Sequence, residues 1–336
     1  MQETVAVISL KKIRRNAERI KEQTSSPLIA VVKDDGYGHG AVEVAHALKG
    51  TVSAFAVATI SEGVALRVAG VAEEILVFTP PISEADVLAG ARYRLTLTLS
   101  SPSVLNVTVR ATEKYHLSVS AHFAVNTGMN RYGFRPELIK SALKEAECLA
   151  VTGVYSHFYA PFSEQARKEQ MRLFLPAADL VKDRFPHAVR HISATGGILA
   201  DPTCALDGVR SGIALYGYLP SGGRKIFLER AMKVYATVSH RATYLGNGAG
   251  YGEYRLAQTK GLTVRAGYGD GFFRTGGLNA IGALCMDAYL TAGDCPFGRR
   301  KLIFSDASAY AEACGTIAYE VLCSVGRRSV RVYDER

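Results

Sequence analysis

One lysine follows a short apolar run and precedes three alternate glycines in Ile29-Ala30-Val31-Val32-Lys33-Asp34-Asp35-Gly36-Tyr37-Gly38-His39-Gly40. Residues Leu28 to Val32 read as a fully buried parallel strand, apolar and β-branched at its end. Gly36, Gly38 and Gly40 admit positive φ and close backbone approach, so the chain turns there with Lys33 projecting from the strand's C-terminal end. In an α/β barrel or an open sheet, that end carries the chemistry. A lysine leaving a hydrophobic strand loses hydration, which lowers its pKa and frees the neutral amine to form a Schiff base with a carbonyl. The competing reading is a solvated lysine at a loop edge, and the surrounding elements decide between the two.

Those elements alternate. Leu10 to Gln23 has the spacing of an amphipathic helix, with Leu10, Ile13, Ala17 and Ile20 on one face. After the Lys33 strand come a helix from Ala41 to Leu48 and the apolar run Phe55 to Ile60. Further strands are expected at Ile75–Phe78, Leu95–Leu99, His116–Phe123, Gly153–His157, Arg190–Ser193 and Gly208–Arg210. Helices are expected at Ser83–Ala91, Pro136–Leu149 and Ser163–Phe185. Eight strand–helix units in about 220 residues predict an α/β fold, a (β/α)8 TIM-type barrel. A doubly wound sheet is the alternative, although no glycine-rich dinucleotide fingerprint follows the first strand. Beyond Tyr218 the character changes. Leu219 to Gly223 is linker-like, and short β-rich runs follow at Val234–Ser239, Leu262–Ala266, Ala280–Leu284, Lys301–Phe304 and Ser329–Tyr333. The expected organisation is a barrel over residues 1–222 and a C-terminal all-β domain over residues 223–336.

Composition narrows the function classes. The chain has 336 residues, 48% of them hydrophobic and 21% charged, which describes an ordinary globular protein with a sizeable core. Its net charge of +9 comes from dispersed Lys and Arg without a basic tract or a nucleic-acid motif, so it favours anionic ligands and no nucleic-acid partner is expected. No apolar run reaches the roughly 18 residues of a membrane span, and Met1-Gln2-Glu3-Thr4 does not open a signal peptide. Neither a membrane partner nor export is expected. Six widely spaced cysteines include no CxxC pair and no metal-type cluster, so reduced cytoplasmic thiols and no metal are the expectation.

Five motifs in order carry a resemblance. They are Lys33 to Gly40, Asn126-Thr127-Gly128-Met129-Asn130-Arg131-Tyr132-Gly133, Gly208-Val209-Arg210-Ser211-Gly212-Ile213-Ala214-Leu215-Tyr216-Gly217, Gly267-Tyr268-Gly269-Asp270-Gly271 and Cys285-Met286-Asp287. Over nearly its whole length the chain resembles the alanine racemase family, the fold-type III enzymes dependent on pyridoxal 5′-phosphate (PLP). The resemblance implies a cytoplasmic homodimer with shared active sites that interconverts L- and D-alanine, or a close relative such as serine, and supplies D-amino acids for cell-wall synthesis. Lys33 resembles the lysine that holds PLP and moves a proton on one face of the amino-acid substrate. Tyr251, in Gly250-Tyr251-Gly252-Glu253-Tyr254, resembles the tyrosine that serves the opposite face from the second subunit. Arg210 resembles the arginine facing the pyridine nitrogen, His157 and His191 the two barrel histidines near the ring, and Arg131 the arginine near the phenolic oxygen or the substrate carboxylate. Tyr37, Thr195, Gly196, Gly212 and Ile213 fit the phosphate cup, while Tyr268, Met286 and Asp287 fit the substrate entrance.

Departures from the family pattern gather on the substrate side. Ala124 stands where the family has a lysine, carbamylated in some members, and Asn126 stands where it has an acid, so Arg131 loses its usual support. Thr195 replaces a serine and Ala194 an asparagine. Arg327 aligns with a second active-site tyrosine and is expected either to take the phosphate bidentately or to select a more polar substrate. Pro161-Phe162 and Ala283 replace an acid and an arginine of the entry corridor, although Arg274 remains. A racemase for another amino acid and a PLP-binding paralogue with weak catalysis are the alternative readings. A decarboxylase would need an acid where Arg210 stands.

Overall fold

Each apolar run of the first two-thirds folds into a short parallel strand because both of its faces are covered. All four residues are buried in Leu28–Val31, in Ala54–Val57 and in Thr96–Leu99. The computed structural model describes residues 4–251, 253–274 and 278–334. Met1 to Glu3, part of the N-terminal stretch read above, and Gly252, inside the Tyr251 motif, lie outside the described residues. Eight strands follow one another around a sheet in the order Val189–His191, Ala150–Tyr155, Ser120–Ala124, Thr96–Leu99, Glu74–Val77, Ala54–Val57, Leu28–Val31 and Val209–Ser211. The two ends meet: the Arg210 amide donates to the Ser193 carbonyl at 3.0 Å and the Asp207 amide to the Arg190 carbonyl at 3.1 Å. This closure makes the sheet a barrel and excludes the doubly wound alternative.

The helices between the strands are delimited by local chemistry. Thr59 and Glu62 form a capping box at the start of Ile60–Val68, and Ser83 and Asp86 form another at the start of Glu84–Arg92. Helix Leu10–Thr24 ends at Ser25 in the left-handed region, φ 51°, and buries Ile13, Asn16, Ala17 and Ile20 on its inner face. The expected helix over 136–149 is shorter: a 3-10 turn, Pro136–Leu138, leads into an α-helix, Ile139–Glu145. Among the described residues no helix is long and apolar enough to cross a membrane.

A second sheet follows the barrel, in the order Tyr289–Ala292, Glu253–Val264, Met232–Gly248, Thr4–Ser9 and Val330–Asp334, with Arg300–Phe304 paired to Met232–Gly248. Three features differ from the sequence reading. Thr4–Ser9, expected within the barrel portion, lies in this second sheet, antiparallel to Met232–Gly248 and parallel to Val330–Asp334. The C-terminal unit is not all-β, because helices Ala307–Ala313 and Ala318–Arg328 pack on it through Tyr310, Val321, Leu322 and Val325. Residues 280–284 form no strand; Gly282 takes φ 75° and only an isolated bridge, Ala280 to Thr291, remains there.

Asn16 ties the first helix to the segment that leaves the barrel. It is fully buried, donates to the Leu215 and Glu229 carbonyls at 2.9 Å each, and accepts from the Glu229 amide at 2.9 Å. Asn16→Ala strands three backbone groups away from water, so a stability loss of about 2–4 kcal/mol is expected. The urea midpoint at constant slope measures it, and a loss below about 0.5 kcal/mol would mean that water replaces those bonds freely.

Candidate active site

Lys33 follows the strand Leu28–Val31 and opens a left-handed helical turn. Asp34, Asp35, Gly36, Tyr37 and Gly38 all have positive φ, from 51° to 78°. The sequence reading assigned the turn to the glycines alone, yet three residues with side chains share it, at a cost on the order of 1 kcal/mol each. Surrounding groups hold it. The Asp34 amide donates to Glu62 Oε1 at 2.6 Å, while Glu62 Oε2 accepts from the Ala58 amide at 2.7 Å, so the capping glutamate also braces the lysine turn. The Asp34 carboxylate pairs with Arg327, and Asp35 pairs with Arg331 at 2.5 Å. Tyr37 packs against Tyr216 and Tyr319 with ring centroids 5.2 and 6.1 Å away. A Cβ on Gly38 would collide with the Leu322 carbonyl and the Gly326 backbone of helix Ala318–Arg328. Both units therefore fix where Lys33 points.

It points into a cavity of about 500 Å3 at the C-terminal mouth of the barrel, lined also by Tyr37, Arg131, His157, Thr195, Arg210 and Tyr319. Burial lowers the Lys33 pKa, and the Arg131 cation lowers it further. At the cavity floor Arg210 is 2% exposed and, among the described residues, makes no ion pair. Its guanidinium is solvated by the barrel instead. It donates to the carbonyls of Ser156 at 2.6 Å, Ile192 at 3.0 Å and His191 at 3.1 Å, and to Nδ1 of His191 at 2.6 Å and of His157 at 3.2 Å. Burial pulls the Arg210 pKa down to about 10, which leaves it protonated at neutral pH. Burial and then the Arg210 charge drive His157 down to about 3 and His191 well below its usual value, so both rings are neutral.

On the cavity wall, Thr195 opens the short helix Thr195–Ala200 and Gly212 precedes the turn Ile213–Tyr216. First-turn amides of such segments have no partner within the helix. The Thr195 hydroxyl lies 3.4 Å from Ser211 Oγ, and a Cβ at position 212 would overlap the Tyr37 hydroxyl, so glycine there lets the phenol reach the backbone. The result is a polar cradle of hydroxyls and amides facing Lys33. Asn126 turns inward on its own loop, accepting from the amides of Gly128 at 3.0 Å and Asn130 at 3.1 Å. Arg131 is exposed and, among the described residues, has no ion-pair partner, which agrees with the loss of acidic support read from Ala124 and Asn126.

Other residues singled out from the sequence lie elsewhere. His191 is behind Arg210 and does not line the cavity. Arg327 is drawn onto Asp34 and also stays outside the lining, so its guanidinium braces the lysine turn. Tyr251, Tyr268, Met286 and Asp287 do not line this chain's cavity; the first three are 66%, 38% and 61% exposed. They form one patch on the C-terminal unit, where the Tyr268 amide donates to the Cys285 carbonyl at 3.1 Å and the Gly269 amide to the Met286 carbonyl at 2.7 Å. Tyr155 and Tyr319 line the cavity and escaped the sequence reading. Tyr155 stacks on His191 at 5.3 Å and lies 5.4 Å under the Arg210 guanidinium. Its position two residues before His157 was a usable signal, because strand alternation sends both inward. No comparable signal marks Tyr319.

Comparisons with known proteins agree with this geometry. The chain matches the family model "Alanine racemase, N-terminal domain" over residues 8–220 and "Alanine racemase, C-terminal domain" over residues 231–333. It is 32% identical to the alanine racemase of Clostridium novyi over 98% of this chain and 94% of that one. It is 33% identical to that of Thermobifida fusca over 98% of this chain and 97% of that one. Among solved structures, the alanine racemase of Clostridium difficile 630 superposes with a TM-score of 0.93 at 28% identity, covering 100% of this chain and 97% of that one. The Bacillus anthracis alanine racemase with bound L-Ala-P gives 0.89 at 25% identity, covering 100% and 96%.

The electrostatics make one prediction about the amine itself. The Arg131 cation depresses the Lys33 pKa, so Arg131→Gln is expected to raise it. The pH midpoint for labelling of Lys33 in the cofactor-free protein by an amine-reactive reagent then moves upward; an unmoved midpoint would mean that Arg131 does not act on the amine.

Proposed function

The chain belongs to the alanine racemase family, whose members depend on pyridoxal 5′-phosphate, and we propose that it interconverts L- and D-alanine by a two-base mechanism. The observation that carries this reading is a desolvated Lys33 at the mouth of a barrel whose floor is the buried cation Arg210. The residues present fit the cofactor. Tyr37, Thr195, Gly196, Gly212 and Ile213 form a hydroxyl-and-amide cradle suited to a phosphate, where a Cβ at Gly196 would meet the Pro161 ring and one at Gly212 the Tyr37 hydroxyl. His157 lies against Arg210 at the wall, where a ring could rest on it.

Bound PLP supplies an electron sink that acidifies the α-hydrogen of an attached amino acid. The chain's own groups do the rest. Lys33, its amine made available by burial, holds the cofactor and takes or returns a proton on one face. Arg210 only donates and keeps its own proton, so a pyridine nitrogen that it faces stays unprotonated, which favours proton return over loss of carbon dioxide. Arg131, without an ion-pair partner among the described residues, is suited to the substrate carboxylate. Serine is not favoured, because the relatives named above are alanine racemases.

The second base is Tyr251. The Arg274 guanidinium lies over its ring, 6.0 Å from the centroid. Because Tyr251, Tyr268, Met286 and Asp287 form a patch outside their own cavity, we assign them to the site of a second copy, in a homodimer with shared active sites. Cytoplasmic supply of D-alanine for cell-wall synthesis is the role this reading implies. Arg327 belongs to the lysine turn in this proposal.

Chiral chromatography of L-alanine incubated with enzyme and PLP tests the reaction, and no D-alanine would reject it. Tyr251→Phe is expected to slow α-hydrogen exchange from one enantiomer at least about tenfold more than from the other; equal small effects would remove Tyr251 from its role. The shared site has its own test. Lys33→Ala and Tyr251→Phe chains are each expected to racemise far more slowly alone, yet a mixed dimer rebuilds one complete site if Tyr251 acts across the interface. No activity in purified mixed dimers would put Tyr251 in its own chain's site or outside the chemistry.

A further inference from the structure

Below the cavity, four polar side chains from four barrel strands form a continuous line. Arg210 Nη1 lies 2.6 Å from His191 Nδ1, His191 Nε2 lies 3.2 Å from His122 Nδ1, and His122 Nε2 lies 3.3 Å from Glu74 Oε1. The last contact is off the hydrogen-bond axis and is an ion-pair distance rather than an aligned bond. His122, His191 and Arg210 are 1%, 0% and 2% exposed, whereas Glu74 begins its strand at the opposite end of the barrel and keeps some contact with solvent. The Thr96 and Thr152 hydroxyls donate to Glu74 Oε1 at 2.7 and 3.1 Å. Burial pushes the Glu74 pKa up, but the His122 contact and the Thr96 and Thr152 hydroxyls outweigh it and keep the carboxylate ionised. The barrel makes room for this line: a Cβ at Gly153 would lie 2.5 Å from His122 Cε1.

The direction of every proton in the line is forced. A guanidinium can only donate, so His191 Nδ1 must accept and His191 carries its proton on Nε2. That N–H can be received only by an unprotonated His122 Nδ1, which leaves the His122 proton on Nε2, facing Glu74. Charging either imidazole would set two donors against each other. The line therefore holds one cation, one anion and two neutral rings, all polarised the same way.

We propose that Glu74 is a positioning residue that, through His122 and His191, orients the Arg210 guanidinium and offsets its buried charge at the floor of the site. The carbonyls around Arg210 supply dipoles but no charge, and among the described residues no carboxylate touches it. Glu74 supplies the countercharge from two rings away, as a carboxylate behind a histidine fixes a tautomer in other catalytic sites. The catalytic consequence rests on the reading of Arg210 as the group facing the cofactor; the proton arrangement rests on geometry alone.

Two measurements test these parts separately. In the cofactor-free protein at neutral pH, nitrogen-15 spectra of the imidazoles are expected to show His122 and His191 as neutral Nε2–H tautomers. An Nδ1–H tautomer or a doubly protonated ring there overturns the arrangement. In the holoenzyme, Glu74→Gln keeps the shape and an acceptor but removes the charge, and is expected to lower kcat about tenfold with little change in KM. Glu74→Ala is expected to lower kcat at least as far, while His122 stays an Nε2–H tautomer because the Arg210 end of the line fixes it. Wild-type kcat in both variants overturns the positioning role even if the tautomers are as expected. Loss of the cofactor's visible absorbance in Lys33→Ala checks the cofactor reading independently, so a failure of that reading is distinguishable from a failure of the relay.

Discussion

A guanidinium with almost no contact with water must find its solvation in the protein, and Arg210 does so from the ends of the barrel strands. Ser156, His191 and Ile192 turn carbonyls toward it from strand ends that also close the barrel. Burial, and then the same cation, keeps His157 and His191 neutral. Removing one of these acceptors would leave a buried charge short of partners, a far larger penalty than losing an exposed ion pair. The barrel's polar interior is thus organised around one permanent charge, with neutral imidazoles arranged as its ligands.

The lysine turn shows the complementary strategy. Its strain is local, but the groups that hold it are remote: Glu62 from the next helix, Arg327 and Arg331 from the C-terminal unit, and Gly326 in direct backbone contact. The Arg327 pair is largely exposed, so its direct contribution to stability is small. Its effect is conformational, since it selects one side-chain direction for Asp34 beside the reactive amine.

These two features mark where sequence reasoning succeeded and where it stopped. The eight strands were legible because doubly covered parallel strands are written as plain apolar runs, and Lys33 and Arg210 were legible because each ends such a run in a distinctive motif. The left-handed path through Asp34, Asp35 and Tyr37 was not, because these residues adopt it only when distant partners compensate for it. Arg327 illustrates the same limit: its alignment with an active-site tyrosine suggested a phosphate ligand, yet its partner is Asp34, 293 positions away. Helices Ala307–Ala313 and Ala318–Arg328 were missed because the surrounding strands set the reading of the whole unit, although Val321, Leu322 and Val325 carry a helical spacing. Glu74 fell just before an expected strand and His122 read as an ordinary strand residue, since only closure of the barrel brings them into line.

Strand Thr4–Ser9 lies between Met232–Gly248 and Val330–Asp334, and its Thr4 hydroxyl meets that of Ser329 across 325 positions. During synthesis this early strand therefore has neither neighbour until the second sheet has emerged from the ribosome. The bracing of Lys33 by Arg327 and Arg331 waits for the same event. A nascent barrel would expose an unpaired strand and an unbraced lysine for most of translation, a long-range dependence of the kind that slows folding and invites misassembly. Competence for chemistry is thus coupled to completion of the polypeptide.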